Sequence, residues 1–195
     1  MSLTKVNADV LDLTDGYAFT GAVSGAGTVG GYEFVSKVTA SISATAAFTN
    51  MVAGYDYLYI IKHVSPSTDG ENLWSRFGIT GPTYRTSTYL GYESSLNANT
   101  PQNQAVTNRA SFYYAAQGYM DGEQLTGEMT VLDPVASTHT SFYSTSFYAG
   151  TGAAKNTGWG QGFYNADESH TAIQFLYSSG NIQSGDFIQY RRPNA

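Results

Sequence analysis

The residue types best equipped for chemistry in this chain are its aromatics, among them sixteen tyrosines. Several cluster: Tyr113 with Tyr114, Phe142 with Tyr143, Phe147 with Tyr148, and Trp159 near Phe163 and Tyr164. A tyrosine joins an apolar ring to a polar tip, which suits protein interfaces, and an exposed ring also stacks on the face of a sugar. Neighbours on a strand point to opposite sides, so one member of each Phe-Tyr pair faces away from its own sheet's core. An outward ring needs cover from another segment, another subunit or a ligand. Tyr143, Tyr148 and Trp159 are therefore the candidate contacts to a subunit or a glycan. The plainer alternative places these rings in a sandwich core with their hydroxyls at its rim.

Other constellations carry less. Gly25, Gly27 and Gly30 match the G-x-G-x-x-G spacing, but that motif holds a pyrophosphate only where it follows a strand and opens a helix. Here the strand-like YEFVSKV comes next, so a glycine linker is expected and no cofactor site. His63, His139 and His170 stand apart in sequence, with no ligand pair such as H-E-x-x-H. Asp69 with Glu71 lacks the density of oxygen ligands in a calcium loop, so no metal site is expected. Cysteine is absent, which removes disulfides, thiolate catalysis and Cys-ligated zinc. No G-x-S-x-G nucleophile element occurs. A glycosidase needs two carboxylates about 5–9.5 Å apart across one cleft. The fifteen acids mostly lie beside turn residues, so no catalytic residue is assigned and the chain is not expected to be an enzyme.

Strands must position these side chains. Leu125, Gly127, Met129 and Val131 alternate with Thr126, Glu128 and Thr130, the period of two that puts apolar atoms on one face. Ile173, Phe175 and Tyr177 alternate less cleanly with Ala172, Gln174 and Leu176, which predicts a strand buried on both sides. Leu73, Ser75, Phe77 and Ile79 form a further face, and the run YDYLYIIKHV over 55–64 predicts a central strand. Segments 32–38, 42–48, 84–90, 111–119, 139–148, 158–165 and 185–190 bring the total to about eleven strands. Asp69-Gly70, Asp121-Gly122 and Ser179-Gly180-Asn181 mark turns. Pro66, Pro82, Pro101 and Pro134 are expected outside the strands, and 93–110 reads as a long polar loop. No long helix and no repeat of 20–50 residues is visible.

The expected architecture is all-β: a jelly-roll-like antiparallel β-sandwich over 32–195, preceded by an N-terminal arm and glycine-rich linker over 1–31. In the arm, Val6, Val10 and Leu13 recur at helical spacing and are the candidate docking residues. An extended leader that orders only against a neighbour fits the same segment equally well.

Composition narrows the class. Charged residues make up 12% of the chain, about half the usual ~25%. The polar surface must come from uncharged side chains, as in proteins packed against copies of themselves or a partner, in secreted proteins, or in a neutral-surfaced monomer. A net charge of −6, with nine Lys and Arg spread along the chain, leaves no basic stripe for nucleic acid. No run approaches the ~18 apolar residues of a membrane span, so no membrane partner is expected. Asp9, Asp12 and Asp15 interrupt the N-terminal region, so no signal peptide is expected, and release on lysis as part of a virion would need none.

Three stretches resemble structural proteins of tailed bacteriophages. LTKVNADVLDLTDGYAFTGAVSGAG at 3–27 is similar to the leader of tail-fibre and head-decoration proteins. YDYLYIIKHVSPSTDGENLWSRFG at 55–78 resembles the paired strands of their sandwich domains, and IQFLYSSGNIQSGDFIQYRRPNA at 173–195 their closing hairpin. The usual last strand, close to L-Y-G, stands here as Gln189-Tyr190-Arg191-Arg192. The resemblance brings no catalytic signature. It implies a virion location on capsid surface or tail, docking of the arm on capsid or tail proteins, and a homo-oligomer, expected to be a trimer. Binding of a host surface glycan is the alternative role it implies.

Overall fold

A computed structural model describes residues 31–97, 100–107, 110–111, 124–149 and 155–194. These residues form strands and connections with no helix among them. The strands are β1 (Glu33–Ser43), β2 (Ala46–Phe48), β3 (Tyr55–Pro66), β4 (Leu73–Ile79), β5 (Thr83–Tyr84), β6 (Tyr89–Asn97) and β7 (Thr100–Thr107). They continue as β8 (Ala110–Ser111), β9 (Gln124–Leu132), β10 (Ser141–Ala149), β11 (Lys155–Tyr164), β12 (Ala172–Tyr177) and β13 (Ile182–Pro193).

Two antiparallel sheets pack face to face. The larger has eight strands in the order β1-β13-β3-β9-β10-β11-β6-β7. The smaller runs β2-β12-β4-β5, with β8 also paired to β4. The protein is thus an all-β sandwich, as its alternating side chains predict. The jelly-roll part of the expectation is not established by these pairings. The chain alternates between the sheets from β1 to β4 and from β11 to β13, but β9, β10 and β11 form a plain meander within one sheet.

Aromatic rings from the two sheets meet in the core. Tyr59 of the large sheet lies 5.4 Å from Phe175 of the small one, and Phe187 stacks on Phe175 at 5.1 Å. Phe77 crosses to Phe142 at 6.0 Å and to Tyr89 at 5.8 Å. Offset and edge-on contacts of this kind add to the gain from burial. The buried tyrosines keep their hydroxyls satisfied: Tyr89 accepts from the Phe77 N–H at 2.7 Å, and Tyr59 accepts from Gln189 at 3.1 Å. β12 is buried on both sides, as its poor alternation predicts. Leu125, Met129 and Val131 face inward and Thr126 and Glu128 outward.

The strand expected at 42–48 is split between the end of β1 and β2, which belong to different sheets, and three further expectations need correction. The stretch 93–110 is not a loop: β6 and β7 form a hairpin through it, paired from Leu90↔Thr107 to Asn97↔Thr100. Its alternation is inverted, with Leu90, Tyr92 and Leu96 turned outward and Glu93 and Ser95 buried, so a search for an inward apolar face passes over it. Pro101 lies inside β7 and Pro66 ends β3, not outside the strands. β7 is an edge strand, where a missing N–H is tolerated. The segment 84–90 is not one strand: β5 ends at Tyr84 and β6 begins at Tyr89. Thr88, between them, has φ 75°, which no regular strand accommodates. The arm with Val6, Val10 and Leu13, the Gly25–Gly30 motif, Tyr113, Tyr114 and all but Ser111 of the strand expected at 111–119 lie outside the described residues.

Candidate functional site

The outer side of the large sheet, away from the core, carries an ordered array of rings. Cross-strand pairing lines up β6, β11, β10 and β9 in four rows. They are Leu90–Phe163–Ser141–Leu132, Tyr92–Gln161–Tyr143–Thr130, Ser94–Trp159–Thr145–Glu128 and Leu96–Thr157–Phe147–Thr126. On β10 and β11 rings and polar groups alternate along each strand. Trp159 therefore has Ser94 and Thr145 directly beside it, with Tyr92, Leu96, Tyr143 and Phe147 on its diagonals. Diagonal neighbours on one face are about 7–8 Å apart, within reach of large side chains.

This array holds seven of the ten large hydrophobic residues that are exposed among the described residues, Trp159 and Tyr143 each at 47%. At about 150–250 Å² for a fully exposed ring, they present roughly 600 Å² of side chain. The largest apolar patch on an ordinary monomer is about 300–600 Å². Within the four rows, Glu128 alone is charged.

Two depressions cut the array. A trough of about 580 Å³ crosses β10, β11 and β6, lined by Leu90, Tyr92, Tyr143, Gln161 and Phe163, with Gly91, Phe142 and Gly162 beneath. A second, of about 400 Å³, lies among Ile60, Thr126, Glu128, Thr145, Phe147 and Thr157. Glycine makes the strands under the trough possible. A Cβ on Gly162 would stand 2.5 Å from the Leu90 carbonyl oxygen and 2.9 Å from the Phe142 ring. With hydrogen there instead, β6 and β11 close together and the Phe142 ring fits on the inner side.

The start of the described chain lies over this same face. The Arg192 guanidinium sits 5.3 Å from the centre of the Tyr32 ring, and Arg192 is held by Asp56 at 3.2 Å. The Tyr32 hydroxyl shares a hydrogen bond with the Thr130 side chain, and burial raises its pKa. Arg192 is on β13 and Thr130 on β9, with β3 between them. The phenol thus crosses over β3 above the sheet. Thr130 points outward yet is only 4% exposed, as a ring lying across it requires.

The sandwich also holds a Thr140–His170–Glu168–Arg85 chain that has the residue types of a nucleophile, base and acid. Thr140 Oγ1 and His170 Nδ1 are 2.8 Å apart, and His170 Nε2 is 3.5 Å from Glu168. Arg85 Nε donates to Glu168 at 2.7 Å, and this bond holds the Glu168 carboxyl below its ordinary range. Burial pushes the imidazole down to about 4. Thr140 and His170 have no exposed surface, and the Phe77 and Tyr164 rings flank the imidazole at 5.2 and 4.7 Å. No substrate reaches that hydroxyl in this structure, and the group serves to tie the 133–140 connection to the segment before β12. Among the described residues no cluster of His, Asp and Glu could hold a metal ion.

Of the three candidate contacts read from the sequence, Tyr143 and Trp159 lie on the array as diagonal neighbours. Tyr148 does not join them: it points into the sandwich and is 3% exposed. Each Phe-Tyr pair does split across the sheet, but in opposite senses, with Tyr143 outward in one and Phe147 outward in the other. Leu96 is hidden by reading 93–110 as a loop, while Leu90 ends the strand expected at 84–90 and Tyr92 falls between the two. The signal was present in the run Gly158-Trp159-Gly160-Gln161-Gly162-Phe163, where glycine at every second position marks one side of the strand and leaves every side chain on the other. No family model, no curated protein and no solved structure matches the chain.

Proposed function

We propose that the protein is a non-enzymatic structural component of a phage-type particle, on its capsid surface or tail. It works as a homo-oligomer, expected to be a trimer, whose subunits join through the aromatic face of the large sheet, while the N-terminal arm docks on capsid or tail proteins. One observation carries this: roughly 600 Å² of outward rings and leucines, with a single charge among four rows of residues. Interface centres are depleted in charge and enriched in Tyr, Trp and Phe, and a stable contact covers about 800 Å² per partner. The rings with their interleaved Thr, Ser and Gln come close to that area. The low charged fraction of the chain supports the same conclusion.

The test is sedimentation of the full chain beside a variant carrying Tyr143→Ser, Phe147→Ser and Trp159→Ser. The wild type is expected to sediment as an oligomer and the variant as a 20.9 kDa monomer with an unchanged β-type circular-dichroism spectrum. A wild type that stays at 20.9 kDa at high concentration would overturn the proposal.

A second reading is favoured by the way polar groups separate the rings. Gln161 stands between Tyr92 and Tyr143, and Ser94, which donates to Asn103 at 2.8 Å, stands beside Trp159. Rings that stack on a sugar, with amides and hydroxyls between them to bond its hydroxyls, suit a host surface glycan. A glycan array probed with wild type and Trp159→Ala separates the two. Signal lost in the variant supports recognition; an array with no signal removes it.

A further inference from the structure

The single ionic group in the four rows of the aromatic face is placed where a contact between copies must deal with it. Glu128 stands on β9, the fourth strand of eight, with Thr145 beside it on β10 and Ile60 beside it on β3. Beyond Thr145 the row reaches Trp159, and beyond Ile60 it reaches Ile188 on β13. The carboxylate thus has apolar side chains on both flanks, and it edges the depression of about 400 Å³ that Ile60 and Phe147 also line. Its side chain is exposed, and among the described residues no ion pair includes it.

We infer that association through the aromatic face takes up a proton at Glu128, so that the oligomer tightens as the solution is acidified and loosens above neutrality. The inference rests on reading that face as the contact between copies, and it adds the control of that contact. Copies that turn this face toward a common symmetry axis bring its rows against the same rows. The incoming face therefore supplies Glu128 a second time and no cation. A carboxylate covered in this way loses its water and meets a like charge, and both effects favour the neutral acid. The acid can also donate, to a threonine hydroxyl or to the second carboxyl, which the ionised form cannot.

The cations on the same side of the sheet are engaged elsewhere or stand apart. Lys37 pairs with Asp186 at 2.8 Å, and Arg192 with Asp56 at 3.2 Å. Lys62 lies opposite Asp186 in the β3–β13 ladder and acts on its charge. Lys155 is paired with Ala149 one row past the array. Two histidines border the face. The His63 N–H donates to the Thr126 hydroxyl at 3.3 Å, and the His139 ring lies 5.7 Å from Phe163. Histidine changes charge within the physiological range, so these two are the rival source of any pH effect.

The test is sedimentation of the full chain at pH 7.5 and pH 5.5, beside Glu128→Gln and beside Glu128→Gln combined with Trp159→Ser. Each proton taken up changes an association constant by up to about tenfold per pH unit, so the wild type should associate at least about tenfold more tightly at pH 5.5. Glu128→Gln, neutral throughout, should show at both pH values the affinity that the wild type reaches only at pH 5.5. Unchanged circular-dichroism spectra at pH 5.5 show that the sandwich is still folded. A wild type equally tight at the two pH values would overturn the inference and leave the contact standing. So would a Gln variant that keeps the pH dependence, which would point to His63 or His139. Chains that stay monomeric in every sample, the Gln variant at pH 5.5 included, sink the contact and the inference together. So does an association that survives Trp159→Ser undiminished, since the copies then meet elsewhere.

Discussion

At the residue scale the most informative group is one without a partner-binding role. His170 is wedged between Phe77 and Tyr164 and bonded through Nδ1 to Thr140. It titrates near 4 in the folded chain and near 6.5 when unfolded. Between those values the unfolded chain binds the extra proton, so stability falls as pH drops from about 6.5 to about 4. The shift corresponds to about 3 kcal/mol over that window. Glu168, held low by Arg85, adds a loss of the same sign at lower pH, as protonation breaks the ion pair. Replacing His170 with Leu should lower stability at pH 7 yet flatten its decline to pH 4.5. Urea midpoints of both proteins at the two pH values check this; parallel declines would show that the imidazole is not the source. None of it could be read from the sequence. Position 170 is a lone histidine there, and its burial depends on Phe77 and Tyr164, remote in the chain.

At the scale of elements, the sheets follow from alternation wherever the apolar side faces in. β4 and β9 are legible for that reason, and β3 and β12 through their unbroken apolar and aromatic runs. The β6–β7 hairpin is not, because its large residues face out and its inward positions hold Gly91, Glu93 and Ser95. The glycines of β11 act in the same way, spending the inner side to let neighbouring strands close. Gly162→Ala would force a methyl to 2.5 Å from the Leu90 carbonyl oxygen and 2.8 Å from the Gly91 Cα. Backbone atoms cannot rotate away as a side-chain tip can, so the β6–β11 ladder must open. A loss of about 1–3 kcal/mol in urea denaturation is expected. The variant should also weaken whatever occupies the trough, since its walls stand on those two strands. No loss of stability would mean the strands have more slack than their spacing suggests.

At the scale of the molecule, the two sheets divide the work. The small sheet supplies Phe77, Ile173 and Phe175 to the core and closes one side. The large sheet closes the other and carries the ring array on its back. The sequence made an outward aromatic face legible through adjacent ring pairs, and it placed Tyr143 and Trp159 on it. It did not show that seven such residues gather on one half of one sheet, because their assembly depends on the order β10-β11-β6, which joins segments far apart in the chain. The same order makes β1 and β13 neighbours, with Glu33 opposite Arg191. Tension between the arm and residue 194 would act across that ladder at its open end and part it rung by rung, at low force, like a zip. A pull taken up across the ring array would instead load many strands together. The path by which force enters would decide whether the sandwich yields or holds.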